Sequence, residues 1–383
     1  MDKPTVQDIF HRFYPAYLDQ YSPSPVQAKV AHNIMNCKTG AYGANVCVCE
    51  DCGFGQIHYN SCRNRCCPMC QAVPKEMWMD ARREDVLDAP YFHLVFTVPD
   101  ILNPVIYSNQ RLLYDVLYHA ASSTISELTA DPKHLGAKVG YICILHTWGS
   151  EMNFHPHIHT ILLGGGLASN NQWKDNGENF FLPIRVISKM FRGKYLEELK
   201  RLWEEDKLVF HGTAEKFRNH YTFKELLDSC YGMDWIPHCK KTFNGAQTVI
   251  KYLGKYTHRI AVSNHRIVRM DDDTVTFLVK DYRNEGQWKE LTISGVEFVR
   301  RFLMHVPPRR FVRIRHYGLL CSRTKSQKLT LCRNLLGCKK YLSKLRDMEM
   351  PEILEHLYGI KVCVCKACGG HLGKPQMRMP LRC

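Results

Sequence analysis

Asn153-Phe154-His155-Pro156-His157-Ile158-His159-Thr160-Ile161-Leu162-Leu163-Gly164 is the stretch that decides how this chain is read. Ile158 to Leu163 reads as a buried strand that stops at Gly164-Gly165-Gly166. Side chains alternate along a strand, so residues two apart share a face. His157 and His159 therefore point the same way, with imidazoles close enough to grip one divalent ion. The ordinary alternative is a hydrogen-bonded pair of core histidines, in a chain that has 19 of them.

Outward from that strand, Tyr91 to Val98 reads as a strand ended by Pro99, and Leu102 to Leu128 as one long helix. Val139 to Trp148 is a further strand, and Ser188 to Asp206 a helix with Leu196, Leu199 and Trp203 at helical spacing. Gln247 to His258 reads as a helix carrying Tyr252 and Tyr256 one turn apart. Strands are expected at Val275–Val279, Glu290–Ile293 and Phe311–Arg315. Strands and helices mixed without strict alternation predict an α+β sheet layer covered by helices. Two short helices are expected before residue 37, the second announced by Ser24-Pro25 as N-cap and first helical residue. The expected units are residues 1–88, 89–318 and 319–383, the last a basic tail. No tandem repeat or low-complexity segment interrupts them.

Lys and Arg outnumber Asp and Glu by 52 to 37, a net charge of +15 that favours a polyanionic partner, with nucleic acid the default. Hydrophobic residues make up 45% of the chain, enough for a substantial core. No apolar run reaches the roughly 18 residues that would span a bilayer, so no membrane partner is expected. No glycine loop of the Walker type is present, and no use of ATP is expected. Met1-Asp2-Lys3-Pro4-Thr5 does not read as a signal peptide, which points to a reducing cytoplasm.

Eighteen cysteines then mean metal rather than disulfides. Cys49-x2-Cys52 and Cys67-x2-Cys70, with 14 residues between the pairs, predict a closed structural Zn²⁺ site of four thiolates. Cys47, His58, Cys62 and Cys66 are left in surplus, either for a second metal or for the core. Cys363-Val364-Cys365-Lys366-Ala367-Cys368-Gly369 repeats the frame of Cys47-Val48-Cys49-Glu50-Asp51-Cys52-Gly53, so a local metal-binding turn is expected at each place, with Cys365 and Cys368 as ligands. Arg63 and Arg65, between the knuckles, are candidates for meeting phosphates. Arg300, Arg301, Arg309, Arg310, Arg313 and Arg315, interleaved with Phe302, Phe311 and Tyr317, carry the ingredients of single-strand binding, or else form a solvated strand face.

Several blocks resemble, in order, the transposases of bacterial rolling-circle insertion sequences of the IS91 type. They are Tyr59-Asn60-Ser61-Cys62-Arg63-Asn64-Arg65-Cys66-Cys67-Pro68-Met69-Cys70-Gln71, His146-Thr147-Trp148-Gly149 with His155-Pro156-His157-Ile158-His159, and Tyr252-Leu253-Gly254-Lys255-Tyr256-Thr257-His258-Arg259. Glu297 to Leu303 and Arg313 to Gly318 continue the likeness, which spans about residue 5 to 320. The resemblance implies a HUH nuclease: an antiparallel sheet flanked by helices, with Mg²⁺ or Mn²⁺ on His157, His159 and a third polar group. The family tends to carry Gln directly after the Trp-Gly pair, where this chain has Ser150 and then Glu151. Glu151 is therefore the expected third ligand, with His146 and His155 as alternatives. The family usually has His where this chain has Cys66.

The resemblance further implies that Tyr252 and Tyr256 attack single-stranded DNA to give a 5′-phosphotyrosine. Lys255 and Arg259, four apart, are candidates to hold the phosphate backbone or the developing negative charge, or else form a surface pair, and Arg301, Arg313 and Arg315 are candidates to hold the strand. Expected partners are single-stranded DNA, element-end hairpins and target DNA in a bacterial cytoplasm. A rolling-circle replication initiator or relaxase uses the same groups. A zinc-dependent DNA-binding protein without catalysis is the non-enzymatic alternative.

Overall fold

The computed structural model describes residues 3–176, 182–235, 237–241, 248, 249, 254, 261–281 and 286–378. Two helices open it, α1 (Val6–Gln20) and α2 (Pro25–Met35). Each starts in a capping box, Thr5 with Asp8 and Ser24 with Gln27, which satisfies otherwise orphaned backbone N–H groups. A hairpin of β1 (Ala44–Val48) and β2 (Gly55–Tyr59) and a helix α3 (Ala72–Arg83) follow.

The centre of the molecule is an antiparallel sheet. Its elements are β3 (Tyr91–Thr97), α4 (Asn103–Ser108), α5 (Gln110–Ala130), β4 (Lys138–Trp148), β5 (Phe154–Leu167), β6 (Trp173–Asp175), α6 (Ile184–Glu204), α7 (His220–Gly232) and β7 (His238–Lys241). A three-stranded antiparallel sheet comes next, β8 (Ile267–Met270), β9 (Thr274–Asp281) and β10 (Gln287–Ser294). It leads into α8 (Gly295–Met304) and β11 (Ile314–Gly318). The chain continues through α9 (Lys325–Leu336), α10 (Met350–Tyr358) and β12 (Gln376–Arg378). The central strand order is β11-β4-β5-β3-β7, with β6 paired to β5. The architecture is α+β, as expected.

Alternation sorts this sheet into two faces with different uses. Phe92, Leu94, Phe96, Tyr141, Cys143, Leu145, Ile158 and Leu162 pack against the apolar sides of α5, α6 and α7. On the other face, Tyr91, Ile142, Ile144, Ile161 and Leu163 pack with Met79 of α3, Val249, and Leu329 and Cys332 of α9. His157 and His159 share the parity of Ile161 and Leu163, so they belong to this second face. A separate core joins α1 and α2 to the β8–β10 sheet and α8, with Phe10 edge-on to Phe302 at 5.2 Å.

Three local expectations change. Strand β5 does not stop at the glycines but runs through them to Leu167. A Cβ on Gly164 would meet the Phe92 ring at 2.8 Å, and one on Gly166 the Lys138 carbonyl at 2.5 Å, so the glycines allow close pairing rather than a turn. The helix expected over Leu102–Leu128 breaks at Asn109. Its Nδ2 donates to the Val105 and Val209 carbonyls at 2.9 and 2.7 Å, while its Oδ1 accepts from Val209 N–H at 2.9 Å. The strand expected from Phe311 starts at Ile314, because Phe311 is buried against Tyr114 instead.

Candidate functional site

His146 stands directly across the β4–β5 ladder from His157, and Ile144 stands across from His159. The nitrogen donors of His146, His157 and His159 all lie within 4.8 Å of one another. His157 Nε2 and His159 Nε2 are 3.1 Å apart, about the separation of neighbouring ligands on a divalent ion bound at roughly 2.1 Å. The Nδ1–H of His157 donates to the carbonyl of His155 at 2.7 Å, which fixes the tautomer and leaves Nε2 for the cluster. His159 Nδ1 meets His93 Nε2 at 2.9 Å, with the two rings stacked at 5.1 Å. His146 lies flat on Trp148, with ring centroids 4.5 Å apart.

These imidazoles are between 4% and 9% exposed. Burial, helped by the nearby His155, pushes His157 down to about 3, and burial likewise holds His159 well below its ordinary value. Both are neutral at physiological pH, the form whose lone pair binds a metal. Three convergent nitrogens with ordered outer partners fit a divalent cation.

Glu151 is not part of that set. Its side chain is exposed on the β4–β5 turn, where its carbonyl accepts from Arg301 Nη1 at 2.9 Å. The turn is pinned away from the histidines by Ser150, whose Oγ accepts from Lys280 N–H at 2.5 Å and whose carbonyl accepts from Arg266 Nη2 at 2.7 Å. His305, 2% exposed, ties the same turn down by bonding the Met152 carbonyl at 3.0 Å and Thr147 Oγ1 at 3.2 Å. His155, the other alternative, faces Asp100 at 3.1 Å. His146 stands beside the pair instead, since cross-strand pairing brings it there.

The cysteines also regroup. Cys49, Cys52, Cys67 and Cys70 do not form one site. Cys67 and Cys70 gather with Cys62 and with Cys37, which follows α2, while Cys49 and Cys52 gather with Cys365 and Cys368. In the first cluster, Cys37 and Cys62 sulfurs lie 3.4 and 3.6 Å from that of Cys70. In the second, Cys49–Cys368 and Cys52–Cys365 are 3.5 and 3.8 Å. A tetrahedron of sulfurs about 2.3 Å from zinc has edges of about 3.8 Å, so both sets fit that ion. The reason for the exchange is positional. Cys49 and Cys52 ride the tip of the β1–β2 hairpin, whereas a bond from Lys38 N–H to the Asn60 carbonyl at 3.2 Å brings Cys37 beside the 62–70 loop. Hydrogen bonds with Cys62 and Cys70, together with burial, push the Cys67 thiol up. Cys66 belongs to neither cluster: it is 4% exposed, its thiol pushed up to about 11 by burial.

Most of the nominated arginines are engaged inside the protein. Arg65 donates to the Phe311 carbonyl at 2.7 Å, and Arg301 pairs with Glu297 at 2.7 Å. Arg315 pairs with Asp115 and lies 4.0 Å from the Tyr118 ring centroid, and Arg313 lies 5.8 Å from that of Trp148. Arg63 is exposed. Tyr252, Lys255, Tyr256 and Arg259 lie outside the described residues. Of their neighbours, Val249 belongs to the apolar cluster of the histidine face, and a Cβ on Gly254 would run into Met79 of α3.

Sequence reasoning passed over Cys37, His93 and His305 as functional side chains. Cys37 offered a signal, opening the cysteine-rich stretch. His93 shares the parity of Tyr91 on β3, but only the pairing of Val95 with His159 places it beside the centre.

Among the described residues no helix is long and apolar enough to cross a membrane. A family described as "Putative transposase" matches residues 140–328, and one described as "Transposase zinc-binding domain" matches residues 9–98. The chain is 40% identical over 369 residues to a "Putative transposase" of Sinorhizobium fredii, spanning 95% of this chain and 93% of that protein. It is 29% identical over 309 residues to the transposase for insertion sequence element IS801 of Pseudomonas savastanoi pv. phaseolicola, spanning 79% of this chain and 72% of that one. No solved structure matches it.

Proposed function

The chain belongs to the insertion-sequence transposase family of the IS91 and IS801 type, and from that premise we propose that it nicks and transfers single-stranded DNA through a phosphotyrosine. One observation carries the reading: three buried imidazoles converge on the sheet face that also packs Val249. Tyr252 and Tyr256 flank Gly254 in the sequence, each two residues from it. Gly254 in turn abuts α3, which covers the same face.

His146, His157 and His159 would hold the divalent cation, which when bound neutralises the scissile phosphate and polarises phosphorus. Three nitrogens in place of two nitrogens and a carboxylate tilt the choice from Mg²⁺ toward Mn²⁺. The His155 carbonyl and His93 keep two of the rings oriented, and burial on the sheet limits water around them. The oxygen of Tyr256 or Tyr252 loses its proton and bonds to phosphorus. The bond from phosphorus to the 3′-oxygen breaks, and that oxygen takes a proton and leaves as a hydroxyl. The phosphotyrosine keeps the bond energy for rejoining, so the reaction needs no ATP. Lys255 and Arg259 hold the phosphate oxygens during attack. The zinc-bearing N-terminal part recognises the element ends, with exposed Arg63 among its phosphate contacts.

The test is labelled single-stranded terminal DNA incubated with the protein and Mn²⁺, then resolved under denaturing conditions. A covalent adduct is expected from the unaltered chain and is lost in Tyr256→Phe or in the double variant with Tyr252→Phe, while noncovalent binding persists. Undiminished adduct in the double variant overturns the assignment.

A further inference from the structure

Cys52 and Cys365 are 313 positions apart in sequence, yet their sulfurs lie 3.8 Å from each other. We propose that Cys49, Cys52, Cys365 and Cys368 bind a zinc ion that clasps the two ends of the chain, separate from the zinc on Cys37, Cys62, Cys67 and Cys70. The zinc-binding match over residues 9–98 contains only the first two of these four thiols.

The two halves are built alike. Gly53 N–H bonds the Cys49 carbonyl at 3.0 Å, and Gly369 N–H bonds the Cys365 carbonyl at 2.9 Å. Both glycines hold a positive φ, +71° and +76°, which closes each turn tightly around its sulfurs. Backbone N–H groups of Ala367 and Gly370 point at the sulfurs of Cys365 and Cys368, each at 3.4 Å. The halves are joined by a bridge between Cys49 and Leu372 and by β12 pairing with β1, Val46 opposite Gln376. Sulfur separations of 3.5 and 3.8 Å suit the edges of a zinc tetrahedron and are far longer than the roughly 2.05 Å of a disulfide.

Packing alone does not explain why the ends stay together. Among the described residues the apolar cluster beneath them is only Cys47, Cys49, Cys365 and Leu372. The β12-β1-β2 sheet meanwhile leaves Val48, Ile57, Tyr59 and Met377 at least half exposed. A module with so small a core requires a metal to fold. The clasp also ends a segment that returns across α3, where Asp80 accepts from Tyr341 Oη and Ser343 Oγ, each at 2.6 Å, and Arg346 pairs with Glu84 at 2.6 Å. The N-terminal module is therefore completed by a segment 313 positions further along the chain.

Metal content of the full chain tests this directly, after a mild chelator has stripped the histidine centre. Two zinc ions per chain are expected. Cys365→Ser/Cys368→Ser should keep one, Cys49→Ser/Cys52→Ser should keep one, and the quadruple variant should still keep one. Adding Cys67→Ser/Cys70→Ser to Cys365→Ser/Cys368→Ser should leave none. Two zinc ions surviving Cys365→Ser/Cys368→Ser, or the quadruple variant losing both, overturns the clasp. Alkylation of the unaltered chain, mapped by peptide mass, needs no variant to fold. Cys49, Cys52, Cys365 and Cys368 should be protected together and become reactive together when a strong chelator removes zinc. Labelling of Cys365 and Cys368 while Cys49 and Cys52 stay protected would also overturn it.

Discussion

His146, His157 and His159 come from two neighbouring strands joined by a short turn, whereas Cys49, Cys52, Cys365 and Cys368 come from the two ends of the chain. The histidines are held by the backbone ladder of the central sheet, with a large apolar core on its opposite face. The cysteines are held by two tight turns over four buried residues. The first centre keeps its shape whatever is bound, because strand pairing and the outer bonds of His93 and the His155 carbonyl set the rings. The second depends on its ion for shape. Metal loss should cost activity at one centre and structure at the other, and this contrast can be attacked from several sides.

The largest effect should come from His157→Ala with His159→Ala. Losing the cation's ligands removes several kcal/mol of charge stabilisation, so nicking should fall about a thousandfold or more. Zinc content should barely move, and the chain should stay folded although truncating two buried rings lowers its melting temperature. Collapse of the fold in that variant would break the contrast.

His93→Ala should weaken Mn²⁺ binding to the chain by about 10- to 100-fold, read by titration of the metal-free protein, because His159 loses its orienting partner. Unchanged affinity would mean that the sheet alone orients the ring.

Acid sharpens the comparison through stability. His157 and His305 are held near 3 and 4 by burial, against an ordinary histidine value of about 6.5. As pH falls below about 6.5 the unfolded chain takes up protons first, so this stability is full above that pH and is lost progressively down to about 3. Denaturant midpoints of the metal-free chain should decline across that window. A His305 imidazole that titrates near 6.5 by NMR would refute the cause given.

The smallest effects are expected at Glu151 and Cys66, two candidates that lie outside the three clusters. Glu151→Ala should leave nicking within about twofold, since an exposed side chain outside the cluster stabilises nothing in the reaction. Cys66→Ser should leave zinc content unchanged. A tenfold loss of nicking in Glu151→Ala would return the carboxylate to the metal.

The α+β class, the paired faces of His157 and His159, the helix capped at Ser24, and a capacity for zinc were all legible in the sequence. Each rests on a local signal: a period of two, a cap followed by an apolar run, a Cys-x2-Cys turn. Tertiary structure decided everything that needed a partner from elsewhere in the chain. Only strand order sets His146 opposite His157 and His93 against His159. Only the folding-back of the C-terminal segment gives Cys365 and Cys368 to Cys49 and Cys52, which frees Cys67 and Cys70 to join Cys37 and Cys62. Spacing along a chain records which residues can turn back on each other within a few positions. It carries no record of which distant turn will arrive beside them, because that is settled by the packing of the core between.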